Sequence, residues 1–91
     1  DIFLNNLRSN FNLNTLVGLE FRTIKDKLIK KGKKISKYER VTDHYRRFID
    51  PKKFEKKLNK RNFKIIYKKE DINLSKTPKE NPHLCRLVFK I

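Results

Sequence analysis

The dipeptide Asp50-Pro51 constrains this chain more than any other feature, because it fixes where a helix begins. Asp50 suits the N-cap, since its carboxylate accepts the free N–H groups of a first helical turn. Pro51 then takes the first helical position, where its missing N–H costs nothing and its fixed φ fits the helix. Ile49 and Phe54 flank this start at the spacing of a hydrophobic staple, which sets the angle of chain entry. Just before it runs Asp43-His44-Tyr45-Arg46-Arg47-Phe48-Ile49. These residue types bind anions and move protons, and here they stand on the approach to a rigid element.

Length and composition limit what can be built around that element. The 91 residues form one segment, 1–91, either a small domain or a piece of a larger one. Hydrophobic residues make up 36% and charged residues 38%, so only a modest core is available. Lys and Arg number 25 against 10 Asp and Glu, for a net charge of +15. Such a surface attracts nucleic acid, phosphorylated substrates or acidic membranes. Evenly spread lysine also serves solvation alone and then marks no site. A lone cysteine, Cys85, excludes an intrachain disulfide framework and suggests a reducing cytoplasm. No apolar run approaches the roughly 20 residues a membrane helix needs, and no signal-peptide pattern opens the chain. The chain begins at Asp1 and lacks methionine, as expected of an excised segment or processed product.

In order, residues 1–11 read as a helix, with Ile2, Phe3, Leu4, Leu7 and Phe11 on one stripe. Residues 16–23 read as a strand whose apolar start suits a buried central position. Residues 24–38 are lysine-dense around Gly32 and read as a short helix over 25–30 or as a solvated loop. A helix over 51–62 follows, packing through Phe54 and Leu58. Residues 63–69 form a second strand, with Phe63, Ile65 and Tyr67 on one face. Residues 71–82 are turn-rich. Residues 84–91 form a third strand, with Cys85, Leu87, Phe89 and Ile91 on one face and Arg86, Val88 and Lys90 on the other. The expected fold is a mixed α/β sheet with a closing hairpin.

This order resembles the C-terminal half of a class I S-adenosylmethionine-dependent methyltransferase. Three phrases carry the likeness: Leu19-Glu20-Phe21-Arg22-Thr23-Ile24-Lys25-Asp26, Thr42-Asp43-His44-Tyr45-Arg46-Arg47-Phe48-Ile49, and Glu80-Asn81-Pro82 followed by Arg86. They are similar to a subgroup that modifies bacterial surface polysaccharides and small molecules. The resemblance implies a partial Rossmann-like sheet of strand, helix and antiparallel strand pair, with an N-terminal helix. Residues 16–23 then correspond to the fifth strand of that sheet, with the last strand slotted beside it. The family holds its cofactor on a glycine-rich loop after the first strand and an acidic residue ending the second. Only Gly18 and Gly32 occur here, and neither belongs to such a loop. S-adenosylmethionine binding is therefore expected only with a missing N-terminal half. The present residues would wall the acceptor side.

Ligands of open α/β sheets bind beyond the carboxyl ends of the strands. Glu20, Arg22, Lys25 and Asp26 lie at or past such an end, and His44, Tyr45, Arg46 and Arg47 approach the same rim. Methyl transfer needs an acceptor that is deprotonated and aligned. In that scheme His44 is the base, Tyr45 orients the acceptor, and Arg22, Asp26, Arg46 and Arg47 contact an anionic small-molecule or sugar substrate. Each has a structural alternative. For His44 the hydrogen-bonded structural role is favoured over the base. One of the two arginines is expected to pair with Glu20, Asp26 or Asp43, because successive side chains on extended backbone point oppositely. His83 reads as a loop residue, and no Cys/His spacing suggests zinc.

The competing class is a small basic RNA- or ribosome-associated module. Phe48, Phe54, Phe63 and Tyr67 alternate with lysine, yet they fall at core-facing periods, and no nucleic-acid-binding signature appears. An unpaired edge on strand 16–23 would also invite a partner, including a second copy.

Overall fold

The computed structural model describes residues 1–91 as a mixed α/β chain of two helices and two three-stranded antiparallel sheets. Helix α1 (Ile2–Asn10) starts where Asp1 accepts the Leu4 N–H at 3.3 Å. Of its expected stripe only Leu4 and Leu7, one turn apart, are buried. Ile2, Phe3 and Phe11 stay exposed, Phe11 because it already lies past the helix end.

Strand β1 (Leu16–Arg22) turns Val17, Leu19 and Phe21 inward and leaves Leu16, Gly18 and Glu20 outward. The expected central position is corrected here, because β1 pairs with a single strand and forms the edge of its sheet.

In the lysine-dense stretch the short helix expected over 25–30 is found as a single 3₁₀ turn, and strands take the place of the solvated loop. A 3₁₀ turn (Lys27–Lys30) leads into a meander of β2 (Lys33–Ser36), β3 (Glu39–Val41) and β4 (Tyr45–Arg47). Gly32 opens it at φ 73°, with its α-carbon facing the Val41 carbonyl so closely that a β-carbon would collide. Both faces are largely wet, so the meander is held by polar stitching. The Arg40 guanidinium donates to the carbonyls of Ile29 at 2.6 Å, Ser36 at 2.6 Å and Glu39 at 2.9 Å.

Helix α2 (Pro51–Lys60) begins as its sequence dictates, with Asp50 accepting the Lys52 N–H at 3.0 Å and Pro51 at the first position. It ends through Asn62 in the left-handed region at φ 58°. The N–H groups of Asn62 and Phe63 then bond back to the carbonyls of Asn59 and Leu58, each at 3.0 Å. This Schellman closure drops Phe63 into the core beside Leu58.

Strands β5 (Lys64–Asp71) and β6 (Leu84–Lys90) complete the larger sheet in the order β1-β6-β5. β6 is antiparallel to both neighbours, so β1 and β5 run parallel with the last strand between them. A bulge at Ile66 lets Ile65 oppose Phe89 while Tyr67 opposes Val88. That extra residue moves Tyr67 to the outer face, correcting its expected core position.

Leu4, Leu7, Phe54 and Leu58 of the helices cluster with Cys85, Leu87, Phe89 and Ile91 of the last strand and its end, with Val17, Leu19 and Phe21 against them. Both helices therefore cover one face of the larger sheet, and its other face carries no helix, only the loop where Arg86 donates to the Leu74 carbonyl at 2.8 Å. Phe63 and Phe89 stack at 5.6 Å, and Phe21 meets Phe54 edge-on at 5.7 Å. No helix is long and apolar enough to cross a membrane.

Candidate functional site

The carboxyl end of β1 is tied to three other segments. Thr23 forms a parallel bridge with Ile49; the Ile49 N–H donates to the Arg22 carbonyl at 3.0 Å and the Ile24 N–H to Ile49 at 3.2 Å. The stretch before α2 thus runs beside the strand end, as the convergence of the two segments required. On the opposite side the Thr23 N–H bonds to the His83 carbonyl at 3.0 Å.

Asp26 is the centre of this knot and is only 3% exposed. One carboxylate oxygen accepts the Leu28 N–H at 2.9 Å, capping the 3₁₀ turn. The other accepts from the Arg22 guanidinium at 3.0 Å and the His83 N–H at 3.1 Å. Arg22 reaches on to Glu80 at 2.7 Å. The His83 ring nitrogen Nδ1 meets the Thr23 hydroxyl at 2.5 Å, and Thr23 is fully buried. Every buried side-chain polar atom has a partner. Arg22 and Asp26 are therefore together, and the bonds they make are internal. Glu20 does not pair with Arg22; it takes Arg86, directly across on β6, at 2.7 Å.

His44 to Arg47 lie on the meander side of the same rim. His44 is exposed, with Nδ1 3.2 Å from the Asp43 carboxylate. That carboxylate is held down to about 2, first by the Thr42 hydroxyl hydrogen bond and then by its own backbone N–H, His44 and Arg46. Arg46 is bound to Thr42 at 3.1 Å and to Asp43 at 3.2 Å. It is the arginine that braces the loop. The Tyr45 hydroxyl donates to Glu39, which raises the phenol's pKa and lowers the carboxylate's. Arg47 makes no close ion pair; it stands opposite Glu39 on β3 and helps to hold that carboxylate down.

Arg47 instead lines a groove of about 700 Å³ beside the open edge of β1. Its walls come from Phe3 of α1, Leu19 and Phe21 of β1, Phe48, Ile49, and Phe54 of α2, with Tyr38, Arg47 and Lys53 at one side. The Lys53 ammonium donates to the Tyr38 hydroxyl at 3.0 Å, and Lys37 and Lys53 stand 5.4 and 5.2 Å from the Tyr38 ring centre. The Lys53 hydrogen bond leads in holding the phenol below its ordinary pKa and raises the lysine's. Sequence reasoning missed the Tyr38–Lys53 contact, which joins the meander to α2 across 15 residues and leaves no local spacing signal. Cys85 is buried on the core face, and burial pushes its thiol up to about 11.

No three of the His, Cys, Asp and Glu side chains gather as metal ligands. No protein-family model matches the chain, and no curated protein matches it.

Proposed function

We propose that this chain is the acceptor-side half of a class I S-adenosylmethionine-dependent methyltransferase, acting on a small or sugar-like anionic molecule. The observation that carries the reading is the strand order. A last strand lying antiparallel between two mutually parallel strands is the closing arrangement of that Rossmann-like fold. The rim geometry agrees with it, because the His44–Arg47 stretch is bonded through Ile49 to the carboxyl end of β1.

Neither glycine fits a cofactor loop: Gly18 lies inside β1, and Gly32 is packed against Val41 in the turn before β2. The cofactor must be gripped by residues outside this chain, and the part left to these residues is to hold the acceptor. His44, with Nδ1 turned to Asp43, lies outside the groove that Arg47 lines, so the base for an acceptor held there is left to the missing half. Arg47, which makes no close ion pair and lines the groove, pairs with the acceptor's anionic group. Arg46, Arg22 and Asp26 position these groups through the loops that they brace.

The test is to express the parent reading frame and titrate it with S-adenosylmethionine and candidate acceptors by calorimetry. Arg47→Ala should weaken acceptor binding about tenfold or more and leave the cofactor unchanged, as expected for losing a charge-assisted contact. Equal loss of both ligands, or no cofactor binding by the parent, refutes the reading.

One observation favours a basic nucleic-acid-binding module as the second reading. The bulge turns Tyr67 outward on the helix-free sheet face, where Lys64, Lys69 and Lys90 surround it on β5 and β6. That reading requires binding to RNA that falls steeply with salt and is lost in Tyr67→Ala.

A further inference from the structure

The groove beside β1 borders an unsatisfied sheet edge. The Thr23 and Thr15 backbones bond across to His83 and Ile91, which gives the odd-numbered residues of β1 to β6. The N–H and C=O groups of Leu16, Gly18 and Glu20 consequently point to the open side. No backbone or side-chain bond meets them there; the sole relief is Ile49 at the Arg22 carbonyl. Natural edges are guarded by lysine, proline or bulges. β5 has both lysines and a bulge, whereas β1 carries no lysine and offers Gly18, beside which even an added β-carbon would meet nothing.

The groove adds apolar surface to that edge. Phe3, Leu19, Phe21, Ile49 and Phe54 line it, and Phe3 remains 46% exposed. Its charges are unevenly committed. Asp1 caps α1 and sits 3.6 Å from Lys57, Asp50 caps α2, and Glu20 holds Arg86. Arg47 makes no close ion pair but stands opposite Glu39 on β3, and Lys53, hydrogen-bonded to the Tyr38 hydroxyl, also feels the Asp50 carboxylate. The slot therefore presents unpaired backbone, apolar walls and two cations that make no close ion pair.

We infer that this edge and groove form a strand-docking slot for an extended, acidic polypeptide segment. The segment adds to β1 by main-chain hydrogen bonds, sets alternate apolar side chains into the groove, and places a carboxylate against Arg47 and Lys53. A second copy of this chain is the poorer occupant, because each copy brings a net charge of +15. The inference needs neither cofactor nor acceptor and concerns the 91-residue chain by itself; on the methyltransferase reading a strand of the missing half would take this same edge.

A ten-residue peptide alternating valine and threonine, with a glutamate at each end, is the probe. It should bind the 91-residue chain saturably and protect the amides of Gly18 and Glu20 from hydrogen exchange. Lysine in place of the glutamates, or Arg47→Gln together with Lys53→Gln, should weaken it about fivefold or more. Lys33→Gln, on the distant meander strand, should change it less than about twofold. N-methylation of alternate peptide residues, which leaves the protein untouched, should abolish binding. Failure of the glutamate peptide to bind, binding indifferent to N-methylation, or equal binding of the lysine peptide overturns the inference. So does sedimentation of the unliganded chain as a dimer whose Gly18 and Glu20 amides are already protected.

Discussion

Replacing Asp26 with alanine should be the most destabilising single change at the rim. The carboxylate accepts from the Leu28 N–H at 2.9 Å, the His83 N–H at 3.1 Å and the Arg22 guanidinium at 3.0 Å. The two backbone bonds contribute about 1 kcal/mol each, and the charge-assisted bond about 1.5–3 kcal/mol. Arg22 keeps Glu80 at 2.7 Å and is 17% exposed, so solvent and the second carboxylate recover part of the last contribution. The expected cost is about 3 kcal/mol, against the roughly 5–15 kcal/mol that holds a typical domain together. At about 4–8 °C per kcal/mol for a chain of this size, the melting midpoint should fall by at least about 12 °C. Asp26→Asn retains the shape but turns an amide donor toward one of three donors, and should fall between wild type and Asp26→Ala. Urea unfolding followed by far-ultraviolet circular dichroism measures all three. A double-mutant cycle with Arg22→Ala should return a coupling of about 1–2 kcal/mol. If Asp26→Ala unfolds within about 1 kcal/mol of wild type, the knot is not structural. Asp26 would then be free to serve a ligand.

Four further outcomes follow from other parts of the molecule. Tyr38 should titrate below 10 by absorbance at 295 nm, and Lys53→Gln should move it back up. Because its folded value is depressed, ionised Tyr38 adds stability that is present above pH 10 and lost as pH falls through the folded midpoint. Asp43, held down to about 2, adds stability that is present above the ordinary carboxylate value of 3.8 and lost as pH falls through about 2; carbon-detected NMR titration reads the midpoint directly. The Cys85 thiol, 1% exposed and pushed up to about 11, should resist Ellman's reagent at pH 8 until denaturant is added. Gly32→Ala should cost about 2 kcal/mol or more from left-handed strain and collision with the Val41 carbonyl, with amide protection lost first across the meander.

Elements that bury an apolar face were legible from pattern. The helix start at Asp50-Pro51, the Phe54–Leu58 stripe and the alternation of β6 each report burial against one core, and each is found in place. The meander was not legible. Its strands bury almost nothing, so no hydrophobic period exists to read, and its stability comes from Arg40 reaching carbonyls up to 11 residues away. Tyr67 was misread for a different reason. Period-two counting holds only while the ladder is regular, and one extra residue at Ile66 inverts every later position. At the site, the pairing of the stretch before α2 with the strand end, made through Ile49, followed from helix placement. The division of labour between Arg46 and Arg47 did not, because it depends on which side of β4 faces Asp43.

The bulge at Ile66 has a second effect, on how far the larger sheet can grow. It breaks the regular spacing of β5 at the flank where Lys64, Lys68 and Lys69 already repel a newcomer. Only the β1 flank can template further ladder. Two molecules meeting there would each close the one unguarded flank of the larger sheet, so growth of the ladder through that sheet stops at a pair.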